Sequence, residues 1–332
     1  CRGHSEMTVL VTGAAGFIGY HAASALVARG DAVVGIDNLN DYYDVSLKKA
    51  RLAHLLGAEG FKFIHADITD RDGLGRALAE VGQVRHIVHL AAQAGVRYSI
   101  EQPFAYTDSN VTGQLTMLEL CRHLQDLEHM VYASSSSVYG SNTKLPFSVE
   151  DRTDCPVSLY AATKSAAELM SHSYAHLYGL PLTGLRFFTV YGPWGRPDMA
   201  LFIFTKAILE GMPIRVFNRG DMARDFTYVD DIIQGILAAL DHPPTSNGSG
   251  PPHRIYNLGN NNAEPLLRLI ELIEQATGRK AERTLEPMQP GDVRETYANI
   301  EAAARDLGFA PRVPLAEGVP RFVDWYRNYY GV

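Results

Sequence analysis

From Thr8 onward, short β-branched runs alternate with longer stretches in which apolar residues recur at helical spacing. The pattern predicts strands over 9–12, 32–36, 61–64, 86–90 and 129–133, with helices over 16–29, about 71–81 and 110–124. Strands alternating with helices favour a doubly wound parallel sheet covered on both faces. No internal repeat breaks this order. After about Phe187 the pattern loosens, and Gly, Pro and aromatic residues crowd together. A strand and helix return over 226–240, and amphipathic helices are predicted over 266–277 and 318–329. The segment 242–253 is rich in Pro, Ser, Asn and Gly and is expected to be a mobile loop. The expected organisation is a sheet domain over 8–186, rejoined by 226–258, and a smaller C-terminal domain assembled from 187–225 and 259–332.

Composition narrows the classes. The 332 residues are 46% hydrophobic and 20% charged, an ordinary globular balance for one large or two closely joined domains. A net charge of -7 gives no broad footprint for nucleic acid. Any anionic ligand must be held by a few placed Arg or Lys side chains and by backbone N–H groups. Cys1, Cys121 and Cys155 are scattered, which fits a reducing cytoplasm better than a disulfide framework. No apolar run approaches the roughly 18 residues of a membrane span, so a cytoplasmic protein without membrane contact is expected. Residues 1–7, ending at Met7, read as a remnant outside the fold. The twelve His show no metal-ligand spacing, and no metal is expected.

Gly13-Ala14-Ala15-Gly16-Phe17-Ile18-Gly19 joins the first predicted strand to the first helix. Glycines there permit a tight turn and let the backbone approach a pyrophosphate. The helix N-terminus then offers free N–H groups and partial positive charge to phosphate. Asp37 ends the second strand, where a carboxylate accepts from ribose hydroxyls and repels a 2′-phosphate, favouring NAD over NADP. Strand, loop, helix, strand and acid in this order predict a Rossmann-type dinucleotide site. Asp67-Ile68 has two readings, a wall beside adenine or an ordinary strand-end turn.

Tyr160 and Lys164 stand i,i+4 on a predicted helix, placing phenol and ammonium on one face. A free phenol has a pKa of ~10, too high for a base at neutral pH. The ammonium, together with an oxidised nicotinamide, is expected to lower it so that Tyr160 accepts a proton from a substrate hydroxyl. Ser134-Ser135-Ser136-Ser137 follows the strand over 129–133, at the edge where ligands bind in such sheets.

These residues, with Thr12-Gly13, Ala91-Ala92 and Val138-Tyr139-Gly140, resemble the extended short-chain dehydrogenase/reductase family over nearly the whole chain from Thr8. The resemblance implies a catalytic triad of Ser135, Tyr160 and Lys164, retained NAD, and a homodimer. It also implies cofactor contacts from Asn38, Asn40, Leu90, Ala91 and Ala92. Lys48 is read either as a further cofactor contact or as an exposed helix lysine.

Within that family, dehydratases need an additional acid/base carboxylate pair, and decarboxylases commonly place Glu just before Val-Tyr-Gly. Here Ser136 and Ser137 stand instead, which suits an epimerase. Arg186-Phe187-Phe188-Thr189-Val190-Tyr191-Gly192, followed by Pro193-Trp194-Gly195-Arg196-Pro197-Asp198, is similar to the UDP-glucuronate 4-epimerases, as are Asn38 to Asp44, Leu47-Lys48 and Arg51. UDP-galactose 4-epimerases usually carry Asn at the place of Thr189. The likeness implies that Arg196, Thr189 and the hydroxyls of Ser135, Ser136 and Ser137 hold the sugar carboxylate, with Arg97 and Arg224 on the UDP-sugar. Arg294 sits near the usual phosphate region, and Val216-Phe217 either borders uracil or fills core. A UDP-hexose 4-epimerase and a non-catalytic NAD sensor remain as alternatives.

Overall fold

The computed structural model describes residues 8–332 apart from 80, 247, 249 and 290. The expected 1–7 remnant lies outside the described residues, as do parts of the 71–81 helix and the 242–253 loop.

The first half alternates as anticipated: β1 (Thr8–Thr12), α1 (Phe17–Arg29), β2 (Ala32–Asp37), α2 (Val45–Leu56), β3 (Phe61–His65), α3 (Arg71–Ala79) and β4 (Val84–His89). Two short helices follow, α4 (Tyr98–Glu101) and α5 (Pro103–Tyr106). A π-helical turn over Thr107–Thr112 leads into α6 (Gly113–His123), β5 (His129–Ser135), α7 (Leu159–Tyr178) and β6 (Leu182–Phe187). Seven parallel strands form one sheet in the order β11-β6-β5-β4-β1-β2-β3, where β11 is His253–Leu258. The chain winds outward in opposite directions from the β1/β4 pair, so the order reverses there. In such sheets ligands bind beyond the carboxyl ends of the strands at that point.

Period-two alternation along β1 explains the layering. Val9 and Val11 join Phe17, Ala22 and Leu26 of α1 in one apolar cluster, while Leu10 joins Leu74, Met117 and Leu118 in the cluster on the other face. Both faces are thus covered, which a parallel sheet with continuous apolar strands requires.

Beyond β6 the remaining elements are β7 (Thr189–Tyr191), α8 (Ala200–Glu210), β8 (Ile214–Val216), β9 (Ala223–Arg224), β10 (Phe226–Tyr228) and α9 (Val229–Leu240), followed by β11. After β11 come β12 (Glu264–Pro265), α10 (Leu266–Thr277), β13 (Arg283–Leu285), β14 (Glu295–Thr296), α11 (Glu301–Leu307) and α12 (Leu315–Tyr330). The short strands pair among themselves, β10 with β7, β13 with β8, and β9 between β12 and β14. Pattern reading missed β6, α2 and α8 as elements. It also extended the 110–124 helix across a π-helical turn. Among the described residues no helix is long and apolar enough to cross a membrane.

Candidate active site

The strand ends deliver their residues to one cleft. Its wall takes Gly13 from the end of β1, Asp37 from β2, Asp67 after β3, Leu90, Ala91 and Ala92 after β4, Ser134 and Ser135 from β5, and Phe187 from β6. Gly16, Phe17, Ile18, Gly19, Asn38, Asn40, Lys48 and Ile68 line the same cleft, and so do Tyr160, Lys164 and Arg196.

The glycine loop is shaped for close approach. Gly13 has φ +72, and Gly16 N donates to Gly13 O at 2.9 Å. A Cβ on Gly19 would lie 1.9 Å from that same oxygen. This bare backbone turn at the start of α1 fits a dinucleotide pyrophosphate. Asp37 steadies it: Oδ2 accepts from Ala15 N at 3.1 Å and Oδ1 from Leu39 N at 2.8 Å. Its neighbour Asn38 donates to Asp67 Oδ2 at 2.8 Å. Thr12 Oγ1, bonded to His89 Nδ1 at 2.7 Å, accepts from the N–H groups of Leu90 and Ala91. Lys48 is not an exposed helix lysine. It is 5% exposed and donates to Asn40 O and Oδ1 at 2.8 and 2.5 Å.

Ser158 caps α7, accepting from Ala161 N at 3.1 Å, and this start places Tyr160 and Lys164 in the first two turns. Lys164 Nζ donates to Ala133 O at 3.0 Å, tying the helix to β5 beside Ser135. Burial pulls the Lys164 pKa down to about 8, with Glu168 opposing. Tyr160 lines the cleft. Burial raises its phenol above the ordinary value, and Ser135 and Arg196 only partly draw it back. Desolvation of the phenolate outweighs the hydrogen bond with Ser135 and the charge of Arg196.

Arg196 reaches the cleft, but one edge of its guanidinium is taken: Nε donates to Asp198 Oδ1 at 2.9 Å and Nη2 to Oδ2. Ser136, Ser137 and Thr189 stand back from the cleft wall. Ser137 is linked to it through its 3.2 Å hydroxyl contact with Ser135. A second group lies beyond Ala94. The Arg97 and Arg215 guanidiniums sit 4.6 and 5.0 Å from the Phe217 ring centre, and Arg97 pairs with Asp292 at 3.3 Å. Burial lowers the pKa of Arg224, with Asp292 opposing and Arg97 adding repulsion, so the guanidiniums of Arg97, Arg215 and Arg224 gather in this region with the Asp292 carboxylate. Val216 is fully buried core. The Arg294 side chain turns to Asp221 at 3.1 Å, while its carbonyl accepts from Arg224.

Several residues escaped sequence reasoning. Tyr42, Tyr43, Gln93, Ser109 and Met199 line the cleft. Asn110, 3% exposed in the π-helical turn, accepts from Gln93 N and donates to Gln93 O and Thr163 Oγ1. Its place one turn before Gly113 and Gln114, on the side of the predicted helix that continues to Met117 and Cys121, was the available signal.

Comparison with known proteins agrees with this geometry. A UDP-glucuronate 4-epimerase of Arabidopsis thaliana is 53% identical, over 98% of this chain and 77% of its own. The crystal structure of a Bacillus cereus UDP-glucuronic acid 4-epimerase with UDP-glucuronic acid and NAD superposes with TM-score 0.89 at 35% identity, covering 98% of this chain and all of that one. A Thermotoga maritima UDP-glucose 4-epimerase with UDP-glucose gives 0.86 at 30% identity, covering 98% and 100%. The family model described as NAD dependent epimerase/dehydratase family matches residues 9–259, and the chain belongs to that family.

Proposed function

We propose that the protein inverts C4 of UDP-glucuronate to give UDP-galacturonate. The observation that carries this reading is the meeting of Ser135, Tyr160 and Lys164 with Arg196 in one cleft that begins at the glycine loop. The relatives named above support the substrate, since UDP-glucuronate 4-epimerases stand near this chain in both sequence and structure. Gly13, Gly16, Asp37, Asn38 and Lys48 would hold NAD, which when bound would supply a hydride acceptor, later the donor, and a positive ring charge in its oxidised form.

The chain's own groups manage the proton. Tyr160 accepts it from the C4 hydroxyl, Ser135 hydrogen-bonds the same oxygen, and Lys164 sustains a positive field on that side of α7. The 4-keto sugar then turns over, hydride would be restored to the opposite face of C4, and Tyr160 returns the proton to the C4 oxygen. Before and after the turn, the guanidinium of Arg196 pairs with the C6 carboxylate and holds it out of line with the ketone π system, which suppresses loss of CO₂. Arg97 and Arg224 flank the UDP diphosphate. Phe104, Leu115 and Leu169 are exposed on α5, α6 and α7, and we assign that apolar face to a homodimer contact, which light scattering would test.

Incubation with UDP-glucuronate, UDP-galacturonate, UDP-glucose and UDP-galactose, followed by NMR of the products, tests the assignment. The uronates are expected to interconvert without added cofactor. Tyr160→Phe is expected to lower kcat by roughly 10²–10⁴-fold. Arg196→Ala is expected to release a decarboxylated pentose product. Interconversion of hexoses alone would overturn the substrate, and an active Tyr160→Phe protein the chemistry.

A further inference from the structure

Arg196 brings its own carboxylate to the cleft. Asp198 accepts from both Nε and Nη2, filling one edge of the guanidinium fork within the chain. The hydroxyl of Tyr42 donates to Asp198 Oδ2 at 3.0 Å, and its ring centre lies 6.0 Å from the guanidinium. Tyr42 comes from the segment after β2, beside the glycine loop, and Asp198 from the loop after β7, so two distant segments meet on this one arginine. The bonds of Arg196 to Asp198 use Nε and Nη2, and the Tyr42 hydroxyl is a further side-chain neighbour of the guanidinium.

A carboxylate beside the arginine that is to receive an anionic sugar weakens the attraction for that sugar. Epimerisation makes this useful. Both faces of C4 must be presented in turn, so the sugar has to let go of the arginine and re-form its contacts during every cycle. An unopposed, part-buried guanidinium would resist release, because release would leave a charge unpaired where water is scarce. With Asp198 on the Nε/Nη2 edge, the guanidinium stays paired throughout, and only its contact with the sugar changes.

We propose that Asp198 is a positioning residue that holds Arg196 while the sugar carboxylate detaches and turns, setting a grip on uronates that can be broken in each cycle. The inference rests on the uronate reading above. Tyr42 supports it by fixing the second oxygen of Asp198.

The test compares wild type, Asp198→Asn and Tyr42→Phe. Calorimetric titration with UDP-glucuronate and with UDP gives binding, and steady-state assay gives kcat and KM. Asp198→Asn, which keeps the shape and removes the charge, is expected to tighten UDP-glucuronate by about tenfold. Its UDP affinity stays unchanged, and kcat falls together with KM. Tyr42→Phe is expected to move in the same direction by a smaller factor. Parallel changes in UDP and UDP-glucuronate affinity would overturn the proposal, as would a raised KM with kcat intact. A wild-type protein that leaves UDP-glucuronate unchanged overturns the substrate reading and this inference with it. Unaltered uronate binding in an active Asp198→Asn protein overturns the inference alone.

Discussion

At Gly19 a single methyl group decides whether the cleft can work. Its Cβ would sit 1.9 Å from Gly13 O and 2.7 Å from Gly13 C, both backbone atoms that cannot rotate aside. Gly19→Ala must therefore open the turn and move the first N–H groups of α1 out of line. The expected outcome is at least a tenfold loss of NAD affinity, roughly 1.4 kcal/mol or more, read by fluorescence titration and by the cofactor content of the purified protein. Retention of wild-type affinity would show that the turn is not the pyrophosphate cradle. At this scale the sequence was informative about identity and spacing. The glycines, Asp37 and the i,i+4 pair of Tyr160 and Lys164 could be read directly, because local backbone geometry fixes them. The direction of the Tyr160 shift could not, since it depends on what covers the phenol from elements far away in the chain.

Among the elements, α2 has a larger part than its exposed-looking sequence suggests. Arg51 is fully buried, and among the described residues no carboxylate pairs with it. Its donors reach Trp194 O, Ala15 O, Tyr43 Oη and Gly195 O, joining the glycine loop, the segment after β2 and the loop that presents Arg196. Arg51→Met removes every one of these donors and leaves buried carbonyls unmet. A loss of roughly 2–4 kcal/mol in stability is expected. KM for UDP-glucuronate should also rise as the Arg196 loop loosens, measured by urea unfolding and steady-state assay. Unchanged stability would mean that water replaces the guanidinium. Such links explain which elements pattern reading found. Long amphipathic helices and alternating strands of the sheet carry their own periodicity. Short strands such as β7 to β9 are defined only by their partners, and in the π-helical turn the side chain of Asn110 bonds back to Gln93.

The whole molecule responds to acid through histidines folded in their neutral form. Burial pushes His21, His129 and His253 down to about 4 and His89 to about 3, from an ordinary 6.5. Below that ordinary value the unfolded chain takes up protons that the folded one refuses. Each histidine therefore costs roughly 1.4 kcal/mol per pH unit as pH falls from 6.5 toward its folded value. Asp225, pushed up to about 6 by burial, acts with the opposite sign: between 3.8 and about 6 the folded state holds a proton that the unfolded state has lost. One carboxylate offsets one histidine, and the net is steep destabilisation toward acid. Urea midpoints taken between pH 7 and 5 should fall steadily, and a flat series would contradict the burial of these rings. The chain has two tryptophans, Trp194 and Trp325. Their rings stand 5.3 Å apart, where α12 meets the loop two residues before Arg196. Intrinsic emission near 340 nm therefore originates from this one spot, so a change in its intensity or colour when a uronate is added would report movement of that loop without any attached dye.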